Sequence, residues 1–135
     1  MMTVTSSGYA QRPASPIIVV VGCALKGAQP HIWTLSRAGE RAESSRLAIA
    51  ADERQALATR PLGQDTYQLI GVAEFVDADT SRTIGDRRAV LQPSRVNATG
   101  MLAHGRKVGV KGLYIAATPP RINLTSVADL GVSCP

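Results

Sequence analysis

The sequence predicts a mostly β fold, a small five-stranded OB-like barrel with a short helical insertion. Three observations predict it. Two valine-rich runs, residues 17 to 23 (IIVVVGC) and 106 to 116 (RKVGVKGLYIA), each hold an internal glycine, as strands that bend at barrel corners do. Three further segments, 31 to 36, 66 to 71 and 122 to 128, have the β-branched or alternating character of strands. The middle third lacks the turn signals, every ~8–12 residues, that a seven-stranded sandwich needs.

Residues 1 to 15 read as a flexible tail rich in Ser, Thr and Pro, and residues 16 to 135 as one domain. The run 17 to 23 is almost wholly apolar, so burial on both faces, or a strand shared between two sheets, is expected. Gly22 inside it suggests a bulge or bend. Residues 27 to 30 (GAQP) make a turn. Residues 31 to 36 then alternate, with His31, Trp33 and Leu35 on one side and Ile32, Thr34 and Ser36 on the other. Residues 17 to 36 therefore predict a hairpin.

Residues 37 to 65 break the strand pattern. Ser44 and Ser45 are candidate caps, and residues 48 to 59 (AIAADERQALAT) are good helix formers. Leu47, Ala50, Ala51 and Leu57 give only a weak apolar stripe. The segment reads as an insertion, and replacing residues 40 to 60 by a short linker is expected to leave the fold intact. Residues 66 to 71 form the third strand. Residues 73 to 79 suggest a helical turn, and 88 to 91 a brief extended piece before Pro93. In the strand 106 to 116, Val108, Val110 and Gly112 face inward. Leu113 and Ile115 are also apolar, which predicts a bulge at Gly112. After Pro119 and Pro120 the last strand runs over 122 to 128, with Ile122, Leu124 and Ser126 on one side.

Composition narrows the function classes. The chain is 44% hydrophobic but only 4% aromatic, so the core must be built of Val, Ile, Leu and Ala. No apolar run reaches the ~18 residues of a membrane span. The N-terminal residues hold no good secretory signal, because the apolar run 17 to 21 is shorter than the ~7 residues of a signal core. Charge is uneven. Residues 37 to 79 carry five arginines against eight acids, a balance of −3, and residues 82 to 121 carry eight basic residues against Asp86, a balance of +7. Such a basic half attracts an anionic ligand, or is a solvated face paired with the acidic half.

Three readings stand open for Cys23. It bonds Cys134 across 111 residues, since the first and last strands of a barrel lie close. It is the acylated cysteine of a lipobox-like V-V-G-C. Or both cysteines are free thiols in a cytosolic protein. Two cysteines without C-x-x-C spacing or a nearby histidine do not make a zinc site.

Five pieces, in this order, resemble a family of small bacterial secreted proteins with an OB-fold-like domain and no assigned activity. They are V-V-G-C at 20 to 23, W-T-L at 33 to 35, Y-Q-L-I-G at 67 to 71, G-R-K-V-G-V-K-G at 105 to 112, and R-I-N-L-T-S-V at 121 to 127 followed by Cys134. The resemblance covers most of residues 17 to 134. It implies a periplasmic or secreted binding or structural module, without catalytic residues. Members commonly carry a secretion signal, so a truncated or misassigned start is the matching expectation here.

No catalytic or cofactor signature appears: no G-x-S-x-G, P-loop, H-E-x-x-H or G-x-G-x-x-G. No enzyme activity and no cofactor are expected. His31 and His104 lack metal-ligand spacing, and the sequons at Asn97 and Asn123 are chance matches in a bacterial protein. The binding candidates are Trp33 and Tyr67 on the second and third strands, with Arg106, Lys107 and Lys111, because OB folds take oligonucleotides or oligosaccharides on that face. The competing reading places Trp33 and Tyr67 in the core of an aromatic-poor domain. An anionic ligand or oligosaccharide is the expected partner. The alternative is a cytosolic single-strand nucleic-acid binder using the basic half.

Overall fold

The computed structural model describes residues 16–29, 31–76 and 101–135. The predicted tail 1–15, the extended piece at 88–91, Arg82, Arg87, Arg88, Arg95 and the Asn97 sequon lie outside these residues. The described elements are β1 (Ile17–Lys26), β2 (Trp33–Ala38), β3 (Ala42–Glu43), helix α1 (Ala51–Ala58), β4 (Asp65–Ile70), a 3-10 turn (Val72–Phe75), β5 (Arg106–Ile115) and β6 (Arg121–Ser133).

The fold is mostly β, and five strands close into a ring. β1 pairs with β2, β2 with β4, β4 with β6, β6 with β5, and β5 with β1 again. Every pairing is antiparallel except β4 with β6, where Gln68 to Ile70 lie beside Arg121 to Asn123. The two-residue strand β3 adds to β1 at Ile18 and Val19, outside the ring. The predicted hairpin is present, with Cys23 opposite Ser36 and Lys26 opposite Trp33.

The period of two along β1 explains the core. Ile18, Val20 and Ala24 point into the ring, where they join Trp33, Leu35, Tyr67, Leu69, Val108, Val110, Ile122 and Val127. Val19 and Val21 point outward into a second cluster with Ile49, Leu57, Ala128 and Leu130. β1 is thus buried on both faces, as its continuous apolar run predicts. It is not shared between two sheets: within one sheet it pairs with β5 along one edge and with β3 and then β2 along the other. Gly22 sits where the second edge changes partner. A Cβ there would lie 2.8 Å from Leu35 Cγ and 2.9 Å from the Ser36 carbonyl, so the glycine serves close approach of β2. β2 ends by turning at Arg37, whose φ is 51°, and the Gly39 N–H then donates to the Val21 carbonyl at 2.9 Å.

One end of the ring is stopped by the 3-10 turn. Val72 and Phe75 enter the main core there, and the Leu102 N–H donates to the Phe75 carbonyl. The turn covers part of the helical turn expected at 73 to 79; Asp77 and Asp79 lie outside the described residues.

The segment 37 to 65 requires a correction. It is not an insertion that the fold can lose. Ile49 and Leu57 are 3% and 1% exposed, and they roof the outward faces of β1 and β6. Four side chains of the sheet tie the segment down. Lys107 Nζ donates to the Ala58 and Arg60 carbonyls, Lys111 Nζ to the Ala48 carbonyl, and Thr125 Oγ1 to the Leu47 carbonyl, while Ser126 Oγ accepts the Ile49 N–H. The helix itself is shorter than expected. Its N-cap is Ala50, whose N–H donates to Glu53 Oε1, whereas Ser44 folds onto the Arg46 backbone. Of the weak stripe only Leu57 is buried, and Leu47 is half exposed.

The expected irregularity at Gly112 is present, but the extra residue is on the partner strand. Lys111 pairs with Ser126 and Gly112 with Leu124, so Thr125 bulges from β6. Before the bulge Ile122 and Leu124 face inward. After it Val127 does, and Ala128 and Leu130 face outward. Ser126 is therefore not on the Ile122 side, and β6 runs on to Ser133, beyond the predicted end.

Two substitutions test the roof. Leu57→Ala should cost about 2–5 kcal/mol in urea unfolding, the range for a buried leucine that leaves a cavity. Gly109→Ala should cost less, about 1 kcal/mol, because its Cβ would come 2.9 Å from Leu57 Cδ1, the movable end of that side chain. If both unfold like the wild type, or if a linker in place of residues 40 to 60 keeps the full transition, the segment is not part of the core.

Candidate functional site

The two cysteines form one disulfide, Cys23–Cys134, with Cα atoms 6.1 Å apart, and no described cysteine is free. The bond lies where β1 meets the tail that follows β6. The Cys134 N–H donates to the Gly105 carbonyl and the Gly105 N–H donates to the Ala24 carbonyl, both at 2.8 Å. Arg37 Nη1 reaches the Pro135 carbonyl at 2.7 Å, and the Lys26 N–H donates to His104 Nδ1. His104 is thus a backbone acceptor on this seam. Of the three readings of Cys23, the structure has the disulfide.

The remaining predicted site residues do not converge on a face. Trp33 and Tyr67 are 4% and 3% exposed, inside the main core. The alternation that placed Trp33 beside Leu35 puts both indoors, and the indole Nε1 has no hydrogen-bond partner. The three basic candidates are occupied as well. Arg106 grips Asp129 with two bonds, Nε to Oδ2 at 3.0 Å and Nη2 to Oδ1 at 2.8 Å. Lys107 is spent on the Ala58 and Arg60 carbonyls. Lys111 is 1% exposed, and its Nζ lies 2.9 Å from Glu53 Oε1. A cation so placed holds the helix against the sheet and offers little to a ligand.

Three surfaces are left. The first is the outward side of the sheet away from α1. Thr34, Gln68, Arg121 and Ile115 stand in one row across β2, β4, β6 and β5, and Ile70, Asn123, Leu113 and Ile17 in another. These side chains are half-buried or exposed, and they offer amides, a hydroxyl and one guanidinium but no aromatic ring. The second is an open cleft of about 480 Å³ between the 43–46 loop and α1, lined by Glu43, Arg46, Asp52, Glu53 and Lys111 among others. Its acids do not group into a metal site among the described residues.

The third surface is a ring corner where Arg41 and Tyr114 lie beside the buried Tyr67, and sequence reasoning missed it. The Arg41 guanidinium lies 4.1 Å above the Tyr114 ring centroid. Polar contact with the Tyr67 and Tyr114 hydroxyls raises its pKa further above an already high value. Arg41 belongs to the segment read as an insertion, which hid it. Tyr114 had a readable signal, because Val108, Val110, Gly112 and Tyr114 continue one alternation without a shift.

Two outcomes follow for the charged residues. Replacing the whole pair, Lys111→Met with Glu53→Leu, should hold near wild-type stability, whereas Glu53→Ala alone should cost about 3 kcal/mol by stranding the buried ammonium. Asp129 should titrate below the ordinary carboxylate range, because the Arg106 bonds, helped by the Gly131 N–H, favour its charged form. Its contribution to stability is present above the unfolded value near ~3.9 and is lost as pH falls through the lowered folded value. That contribution is small, with both side chains about a third exposed. An NMR titration that gives Asp129 the same midpoint in wild type and Arg106→Gln would contradict the assignment.

Comparison with protein-family models, curated proteins and solved structures finds no match to this chain.

Proposed function

We propose that this chain is a non-enzymatic binding module of OB-like architecture that works outside the cytoplasm, in the periplasm or after secretion. The observation that carries the reading is the disulfide between β1 and the tail beyond β6. Such bonds persist in oxidising compartments and are rare in the reducing cytosol, so this one is compatible with an extracellular location. Among the described residues no helix is long and apolar enough to cross a membrane. The likeness to small secreted OB-fold-like proteins belongs to the same reading. So does the strand order, a five-membered ring with one parallel pair.

The binding part of the proposal rests on the uncovered sheet rows and the Arg41 corner. Neutral hydrogen-bonding groups such as Thr34, Gln68 and Asn123 suit the hydroxyls of an oligosaccharide. A single-stranded nucleic acid would want aromatic platforms, and Trp33 and Tyr67 are turned into the core.

Alkylation and mass spectrometry of non-reduced protein from an oxidising compartment should find no free thiol. The 111-residue loop gives a chain-entropy stabilisation of roughly 4–5 kcal/mol, so Cys23→Ser, Cys134→Ser and reduced wild type should each lose a few kcal/mol with unchanged secondary structure. An oligosaccharide array should yield binding that salt scarcely changes. Tight binding of labelled single-stranded DNA that collapses with salt would replace this reading with a nucleic-acid one.

A further inference from the structure

Arg106 is neutralised by Asp129. Arg41 is not: among the described residues no carboxylate pairs with it, although Glu40 and Glu43 are close by in sequence. The guanidinium is stacked 4.1 Å over the Tyr114 ring, and Tyr114 is itself packed against the main core through the same ring. Tyr67, almost wholly buried, supplies a second hydroxyl beside it.

This arrangement selects a ligand chemistry. Contact over the Tyr114 ring engages one face of the guanidinium, and of its five N–H donors those not turned to the Tyr67 and Tyr114 hydroxyls remain for a ligand. Those donors match the two oxygens of a carboxylate in a planar fork. The charge matches too, one cation to one monoanion. A phosphate dianion is ordinarily met by several cations or a run of backbone N–H groups, and the corner offers a single guanidinium with two phenols. The rigid bed also removes much of the ordering that a free arginine side chain undergoes on binding.

We propose that Arg41, seated on Tyr114 and beside Tyr67, is a carboxylate-binding site on the ring. The assignment deepens the binding-module reading and rests on it for its purpose, but not on where the protein resides. The ligand group is a carboxylate carried by a larger molecule, and an acidic sugar agrees with the hydroxyl-matching sheet rows.

The test is a proton–nitrogen NMR titration of the full chain with sodium glucuronate and with sodium acetate, against sodium chloride at equal ionic strength. Both carboxylates should shift the Arg41 Nε–H resonance saturably, and chloride should not. Arg41→Gln should abolish saturable binding, and Arg41→Lys should weaken it about tenfold, because an ammonium keeps the charge without the fork. Tyr114→Phe keeps the stacked ring and should retain binding within a few-fold. Melting curves of the variants check that the ring is still closed. Absence of a saturable shift, equal binding by Arg41→Gln, or saturation by inorganic phosphate but by neither carboxylate overturns the site. Binding of a neutral oligosaccharide together with no saturable shift by either carboxylate would overturn the carboxylate site alone and leave the binding module standing.

Discussion

Burial of β1 on both faces is the constraint from which the rest of this architecture follows. A strand of alternating orientation, with Ile18, Val20 and Ala24 inward and Val19 and Val21 outward, needs apolar cover on two sides. The ring supplies one side by closing on itself. It cannot supply the other, so a further layer is required, and the chain between β2 and β4 becomes that layer. Each buried aliphatic side chain contributes roughly 1.5–3 kcal/mol, which makes even the two residues Ile49 and Leu57 decisive for keeping the roof in place.

The same constraint explains what the basic residues of β5 do. Lys107 and Lys111 project from the outward side of a strand whose neighbours there are apolar. Their long stems lie along the roofed face and their ammonium groups meet carbonyls of the segment above. The +7 balance of residues 82 to 121 is a true property of the sequence. For Arg106, Lys107 and Lys111 it does not mark free cations, because charge counts do not distinguish a solvated cation from one that closes an internal seam; Arg82, Arg87, Arg88 and Arg95 lie outside the described residues.

Much of the ring was readable because strand signals are local. Valine-rich runs, alternation in WTLS and the glycine punctuation identified the five ring strands, and the end-to-end cysteines indicated which ends must meet. What escaped depends on partners distant in sequence. The importance of Leu57 arises from Gly109, Leu130 and Val21, none of which is near it in sequence. The bulge was visible as a clash of registers, yet only pairing with β5 reveals that Thr125 is the extra residue. Trp33 and Tyr67 showed the ambiguity of scarce aromatics, which serve a core and a binding face equally well until the sheet has a direction. Arg41 had no signal of its own, since an arginine in a polar segment gains meaning only from the tyrosine beneath it.

The pairing of Val20 with Val110 spans ninety positions, and it has a consequence for how the molecule is made. A chain growing from its N-terminus exposes the valines of β1 early, while their main partner strand follows some ninety positions later. The β1–β2 hairpin can form at once, but an isolated hairpin is marginal in water. The ring can therefore close only after β5 and β6 have been made, and distant pairings of this kind fold slowly. Until then β1 is an apolar edge open to the wrong neighbours. The nascent protein passes through an interval of vulnerability that the finished ring no longer shows.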